Sequence, residues 1–176
     1  MPINTKSMIA DAFLQLSQKK SLDKITIKDI VEQCGISRQA FYYHFEDIIG
    51  VIQWCIEIRM QQDFQRSLEL EDPREAILLM ITGVLDNRES IRRLYASQHK
   101  EQIEQIVIQT FCSLLKEIRT KRLRRKSYPT INADTTLRFL AYGLSGIVKD
   151  AVQSGDCDAE FLSDEIYALI NSGLKI

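Results

Sequence analysis

The chain has 176 residues, 45% hydrophobic and 27% charged, with a mass of 20.3 kDa. That balance excludes a disordered chain, and the length buries enough surface to need no metal or disulfide staple. With 24 acidic and 23 basic residues the formal net charge is −1, so whole-chain charge draws in no nucleic acid, although a local basic face remains open.

Apolar residues recur with a helical period almost throughout, which predicts an all-α chain of about nine helices. A first helix fits Thr5 to Lys20, with Ile9, Ala12, Phe13 and Leu16 on one face. Ser21, Leu22 and Asp23 break the pattern. A second helix fits Ile27 to Cys34, capped by Thr26, with Asp29 near the exposed N–H groups and Gly35 as a C′ residue suited to positive φ. Ser37 caps a short third helix reaching about His44. Asp47 caps a long fourth helix to about Leu70, whose wide apolar face marks it as the connector to the rest of the chain. Asp72-Pro73 opens a fifth helix with Pro at its first position. Its Ile77–Ile81 run is apolar all round and is expected in the middle of the larger unit. Further helices fit Glu89 to Ala96, Lys100 to Lys126, Ala133 to Ser154 and Asp158 to Gly173, with a loop at Ser127–Thr130. Two domains follow: 1–46, and 47–176.

Enzyme chemistry finds little support. Only His44 and His99 can serve as imidazole bases. The glycines form neither a P-loop nor a dinucleotide fingerprint, and no HExxH pair occurs. No cofactor or metal is expected. The four cysteines, Cys34, Cys55, Cys112 and Cys157, lack CxxC spacing and read as reduced thiols of a cytoplasmic protein. No transmembrane stretch or signal peptide is legible, so no membrane partner is expected.

The informative feature is the pair of short helices joined by Gly35-Ile36, a helix-turn-helix candidate. Ala40 and Phe41 are expected to face inward, leaving Arg38, Gln39, Tyr42 and Tyr43 outward. Arg38 can bond guanine and Gln39 adenine in bidentate fashion. Tyr42, Tyr43 and His44 can reach phosphates or stack on sugar and base edges. From Leu16 to Phe45 five basic residues face three acids, a local +2. The same spacing also suits aromatics that merely cover a helical hairpin, in an all-α interaction module that binds protein and not DNA.

The stretch Ile25-Thr26-Ile27-Lys28-Asp29-Ile30-Val31-Glu32-Gln33-Cys34-Gly35-Ile36-Ser37-Arg38-Gln39-Ala40-Phe41-Tyr42-Tyr43-His44-Phe45 resembles the DNA-binding signature of the TetR/AcrR family of bacterial regulators. That pattern reads roughly T-x-x-x-I-x-x-x-A-G-V-S-x-x-x-[LF]-Y-x-[HY]-F. Arg38 to Asp47 also resembles a subgroup containing activators of dihydroxyacetone kinase operons. The resemblance implies an N-terminal three-helix helix-turn-helix domain joined by a long helix to a C-terminal helical bundle for effector binding and dimerisation. It implies a sequence-specific transcriptional regulator that binds a palindromic double-stranded operator as a homodimer. Expected DNA contacts are Lys6, Thr26, Lys28, Ser37, Arg38, Gln39, Tyr42, Tyr43 and His44. There is one departure. The family often carries a phosphate-gripping Lys just past the Phe, where this chain has Glu46, Asp47 and Ile48. That contact is lost, and affinity is expected to rest more on Lys6, Thr26, Lys28 and Tyr42.

The resemblance also implies a dimer through the last two helices. The sequence offers Ala141, Ser145 and Gly146 for close approach, and Phe161, Leu162, Ile166, Leu169 and Ile170 as apolar surface. Control by a small-molecule effector or a protein co-regulator is expected in the C-terminal domain. Candidate pocket residues are Trp54, Arg59, Met80, Tyr95, His99, Phe111, Phe139 and Tyr142. The basic run from Lys116 to Lys126 reads as a solvated helix end.

Overall fold

The computed structural model describes residues 5–122 and 133–172. Among these it holds nine α-helices and one 3-10 turn. The elements are α1 (Thr5–Lys19), the turn Leu22–Lys24, α2 (Ile27–Cys34), α3 (Arg38–His44), α4 (Ile48–Leu68), α5 (Pro73–Asp86), α6 (Arg88–Tyr95), α7 (Lys100–Arg122), α8 (Ala133–Ser154) and α9 (Ala159–Ser172). The Ser127–Thr130 loop and the expected end of the seventh helix lie outside the described residues.

The small N-terminal unit is built by local chemistry. Thr26 and Asp29 form a reciprocal capping box on α2: the Asp29 N–H donates to Thr26 Oγ1 at 3.2 Å, and the Thr26 N–H donates to Asp29 Oδ2 at 2.7 Å. Gly35 ends α2 at φ +69°. The Gly35 N–H reaches the Glu32 carbonyl and the Ile36 N–H reaches that of Val31, the paired bonds of a Schellman stop. Ser37 Oγ then accepts from the Ala40 N–H at 3.1 Å and starts α3. These stops and starts leave α2 and α3 only eight and seven residues. Neither is stable alone, so both depend on packing against α1. Ile9, Ala12 and Phe13 of α1 bury against Ile30, Val31 and Phe41, with Leu22, Ile25 and Phe45 closing the cluster.

Asp47 caps α4 through the Gly50 N–H at 2.8 Å. The first turns of α4 bury Val51 and Ile52 in the N-terminal core. Further along, α4 lies against α5 and α7. Gln61 and Gln65 of α4 donate to Glu117 of α7 at 3.4 and 3.3 Å. In the C-terminal unit α5 packs on α4, α8 and α9, while α7 packs on α8 and α6. Arg74 of α5 pairs with Asp164 of α9, and Lys149 of α8 pairs with Glu104 of α7 at 3.1 Å.

The α5 run departs from expectation. Only Ile81 is buried, and Ile77 to Met80 are half-buried. A helix that is apolar all round cannot turn every phase toward the helices it packs on, and one side of α5 stays partly open.

Candidate nucleic-acid interface

Helix α3 has two sides with opposite fates. Phe41 is fully buried, edge-on to Tyr42 at 5.6 Å and tilted against Phe45 at 6.0 Å. This anchor turns Ser37, Arg38 and Gln39 into solvent. Tyr42 is 56% exposed and Tyr43 86%. His44 is half-buried and stands edge-on to Tyr43 at 5.0 Å. Arg38, Gln39, Tyr42 and Tyr43 therefore come together on one outward face, with His44 at its half-buried edge. Seven residues of helix make that face short, which suits insertion into a major groove about 12 Å wide.

The expected phosphate contacts divide. Lys28 is exposed, and its ammonium lies 3.8 Å from Glu32, a weak pairing that leaves it able to reach outward. Thr26 is exposed as well, but its hydroxyl donates to Asp29 Oδ2 at 2.7 Å while accepting from the Asp29 N–H. That hydroxyl is committed to the cap, and a phosphate engages it only by breaking the box. Asp29 is further held by Lys20 at 2.7 Å. Lys20, and then Thr26, keep the Asp29 carboxyl well below the usual carboxylate range. Lys6 sits at the start of α1 with its ammonium 5.2 Å from the Phe45 ring centre and 5.6 Å from that of Trp54. The two rings are themselves edge-to-face at 6.4 Å. This aromatic seat was not foreseen from the sequence, where Lys6 and Trp54 stand far apart.

The residues expected to line an effector pocket do not converge. Trp54 belongs to the N-terminal core. Arg59 is exposed and paired with Asp63 at 2.8 Å. Tyr95 sits under the Lys149 ammonium, 5.6 Å from its ring centre, and burial followed by Glu104 raises its hydroxyl pKa. His99 Nδ1 lies 3.2 Å from Gln102 Oε1. Phe139 and Tyr142 are 59% and 49% exposed, on the outside of α8, so they line no interior of this chain. Met80 and Phe111 are half-buried. A cleft of about 350 Å³ opens elsewhere, between Gln18–Leu22 of the N-terminal unit and Arg93, Ala96 and Ser97 beside α6.

The expected dimer surface is corrected in phase. Ala141, Ser145 and Ile166 are buried within the chain, where α8 and α9 meet their own neighbours. A side chain sealed inside one subunit offers nothing to a second. The outward face carries Phe139, Tyr142 and Gly143 of α8, with Gly146 and Leu162 half-buried beside it, and Phe161, Leu169 and Ile170 of α9. Phe139, Tyr142, Gly143 and Gly146 stand at i, i+3, i+4 and i+7, one helical face. A Cβ placed on either glycine meets nothing within 4 Å.

Within the basic run, Lys116 is exposed and Glu117 receives the two α4 glutamines; from residue 119 onward the side chains lie outside those described. No described helix is long and apolar enough to cross a membrane. No group of three or more His, Cys, Asp or Glu able to hold a metal occurs among the described residues.

Comparison with known proteins agrees with this architecture. Residues 9–48 match the model of bacterial regulatory proteins of the tetR family, and residues 71–172 match that of a transcriptional regulator C-terminal region. The chain is 20% identical to the HTH-type dhaKLM operon transcriptional activator DhaS of Lactococcus lactis, over 99% of this chain and 92% of that protein. A solved structure of a dihydroxyacetone kinase operon activator DhaS superposes with a TM-score of 0.67 at 20% identity, covering 98% of this chain and 97% of the other. A TetR transcriptional regulator from Streptococcus agalactiae gives a TM-score of 0.65 at 22% identity, covering 94% and 93%. With a matching helix-turn-helix and a matching C-terminal region on one all-α scaffold, the chain belongs to the tetR family of bacterial transcriptional regulators.

Proposed function

We propose that two copies of this chain bind a palindromic operator, each laying α3 in the major groove. In this reading 1–46 form the DNA-binding domain and 47–176 the control and dimerisation domain. Arg38, Gln39, Tyr42, Tyr43 and His44 form the reading face. Lys6, Lys28 and Ser37 hold phosphates, and Thr26 contributes through the cap. The carrying observation is the division of α3, with Phe41 sealed in the core and two tyrosines standing 56% and 86% exposed beside Arg38 and Gln39. Exposed aromatics with a fixed anchor beneath them are suited to a partner surface and not to a hairpin cover. Dimerisation is supported by the outward Phe139–Tyr142–Gly143–Gly146 face of α8 and its apolar neighbours on α9. A two-fold axis there sets the two copies of α3 one turn of DNA apart, roughly 34–36 Å. Control by a protein co-regulator is favoured over an enclosed small molecule, because the aromatics foreseen as a pocket lining are dispersed or outward. Such a regulator works in the cytoplasm, beside its DNA.

The test is selection from a random duplex pool, followed by fluorescence anisotropy at several salt concentrations. Enrichment of an inverted repeat and a steep linear fall of log affinity with log salt are the expected results. Failure to enrich any sequence overturns the reading and leaves the protein-interaction module in its place.

A further inference from the structure

Helix α6 has no buried side chain. Its apolar residues Ile91, Leu94 and Tyr95 are half-buried, so apolar packing holds it only in part. Three of its eight residues are arginines whose guanidinium groups bond backbone carbonyls of other helices. Arg88 and Arg92, four residues apart on one face, turn toward the end of α8. Arg88 Nη1 donates to the Gly155 carbonyl at 2.6 Å. Arg92 Nε and Nη2 donate to the Val152 and Gln153 carbonyls at 2.7 and 3.1 Å. Arg93, on the adjoining face, turns toward the end of α1. Its Nη1 donates to the Ser17 and Gln18 carbonyls at 3.0 and 3.1 Å, while its Nε pairs with Glu89 at 3.3 Å.

These acceptors sit where helices need donors. The last carbonyls of a helix have no partner inside it and carry the negative end of its dipole. A planar guanidinium can serve two of them with one charge. Gly155 shows the fit from the other side. Its φ of +85° favours glycine, and a Cβ there would lie 3.2 Å from Arg92 Nη2.

We propose that α6 is a clamp that fixes the DNA-binding unit against α8, with Arg93 and Arg92 as its positioning residues. The unit is already attached through α4 and through Ile103 of α7, which is buried in its core. The arginines of α6 add a polar attachment that runs from α8 to the end of α1. Leu94 adds apolar contact with the N-terminal core, and the Gln98 N–H donates to Asp23 Oδ1 at 3.1 Å across the same seam. Beside Ile103 and Leu94 an open cleft leaves the seam incompletely packed next to Arg93, so the arginine bonds add to what sets its geometry. Because α8 also carries the outward face, the clamp ties the dimer axis to the two reading helices. This step rests on the dimeric DNA-binding reading above.

The experiment uses full-length Arg93→Ala and Arg93→Lys with two readouts. The first is hydrogen exchange at the Gln98 amide, which crosses the seam, against Phe13 inside α1. Loss of charge-assisted bonds is expected to speed Gln98 exchange roughly tenfold in Arg93→Ala and less in Arg93→Lys, with Phe13 unchanged. The second is affinity for the selected duplex and for versions with one base pair added or removed between half-sites. Each change rotates one half-site by about 35°. The wild-type protein should discriminate by at least about tenfold, as expected when a rigid frame is mismatched, and Arg93→Ala by only about threefold or less. Unchanged Gln98 exchange, equal acceleration at Phe13, or undiminished spacing preference overturns the clamp. If the wild-type chain selects no duplex, the regulator reading fails, while the exchange comparison still decides whether Arg93 holds the seam.

Discussion

Gly143 offers a substitution on which the isolated chain and the dimer must respond with opposite signs. It lies in the interior of α8 on the face shared with Phe139, Tyr142 and Gly146, and a Cβ built on it meets nothing within 4 Å. A glycine inside a helix costs about 1 kcal/mol relative to alanine, through backbone entropy. In a single subunit Gly143→Leu therefore relieves most of that cost, and its Cβ enters open space on an exposed face. In a dimer through this face the outcome reverses. Helices that meet at small residues approach to about 8 Å, the near end of the usual range, and a leucine forces them apart. Overpacking a closed interface costs about 1–3 kcal/mol per site, and two-fold symmetry places the residue there twice, giving about 2–6 kcal/mol. At 1.4 kcal/mol per decade that weakens the dimer roughly 30-fold to 10⁴-fold. Sedimentation velocity across a dilution series measures the dissociation constant. Thermal unfolding of fully dissociated protein measures the subunit. The expected pair is a looser dimer made of a subunit at least as stable as wild type. An unchanged dissociation constant refutes the assignment of this face. A destabilised subunit refutes the claim that the space around Gly143 is open.

Other substitutions separate further parts of the reading. Arg38→Ala should cost on the order of 1–3 kcal/mol of operator affinity and relax sequence preference, whereas Lys28→Ala should weaken all duplexes alike and lower the salt slope by about one; anisotropy titrations on selected and scrambled duplexes tell the two apart. Lys6→Ala should reduce affinity for every duplex and also lower the melting temperature, because its ammonium rests on Phe45 and Trp54; unchanged DNA affinity would remove Lys6 from the phosphate set. The depressed pKa of Asp29 contributes stability above an unfolded value near 4 and loses it as acid titrates the folded carboxylate below that; urea unfolding between about pH 2 and 7 should show a shallower acid limb for Asp29→Asn, and superimposed limbs would contradict this. Burial, and then Asp11, push the Cys55 thiol up to about 12, so a disulfide reagent at pH 8 should modify it about 10³-fold more slowly than an ordinary exposed thiol; four equal fast phases would contradict this.

The N-terminal unit was legible because its signals are local. Thr26 with Asp29, Gly35, and Ser37 each act within five residues, so the limits of α2 and α3 could be read almost to the residue. Helix existence in the C-terminal unit was equally legible from period, with Asp72-Pro73 marking the start of α5. Which face of α8 is inside was not. Ala141 and Ser145 read as small residues for a close partner, while Phe139 and Tyr142 read as interior aromatics, and the packing of α8 on α7 reverses both. Side-chain size does not reveal phase when both faces of a helix are apolar. The i, i+3, i+4, i+7 spacing of Phe139, Tyr142, Gly143 and Gly146 was the available signal. The arginines of α6 were harder still. Their acceptors are carbonyls, which every residue possesses, so no composition or spacing marks them.

Under the proposed DNA-binding reading, Lys6 would balance the missing lysine after Phe45 in space. Glu46 and Asp47 put two acids where a phosphate would approach, and Asp47 is committed to capping α4 through the Gly50 N–H. A cation on that turn would sit next to both acids. Lys6 instead arrives from α1 and lays its stem toward Phe45 and Trp54, whose rings hold its ammonium by their faces. Half-buried stem and aromatic seat restrict the rotamers of Lys6, so less entropy remains to be lost when a phosphate binds. Phe45 and Trp54 also join the N-terminal core to α4. The same pair of rings therefore positions the connector helix and the cation beside it. Under the DNA-binding reading proposed above, the charge that one position of the family's motif supplies locally would come from forty residues upstream, by a contact that exists only once α1 and α4 have packed.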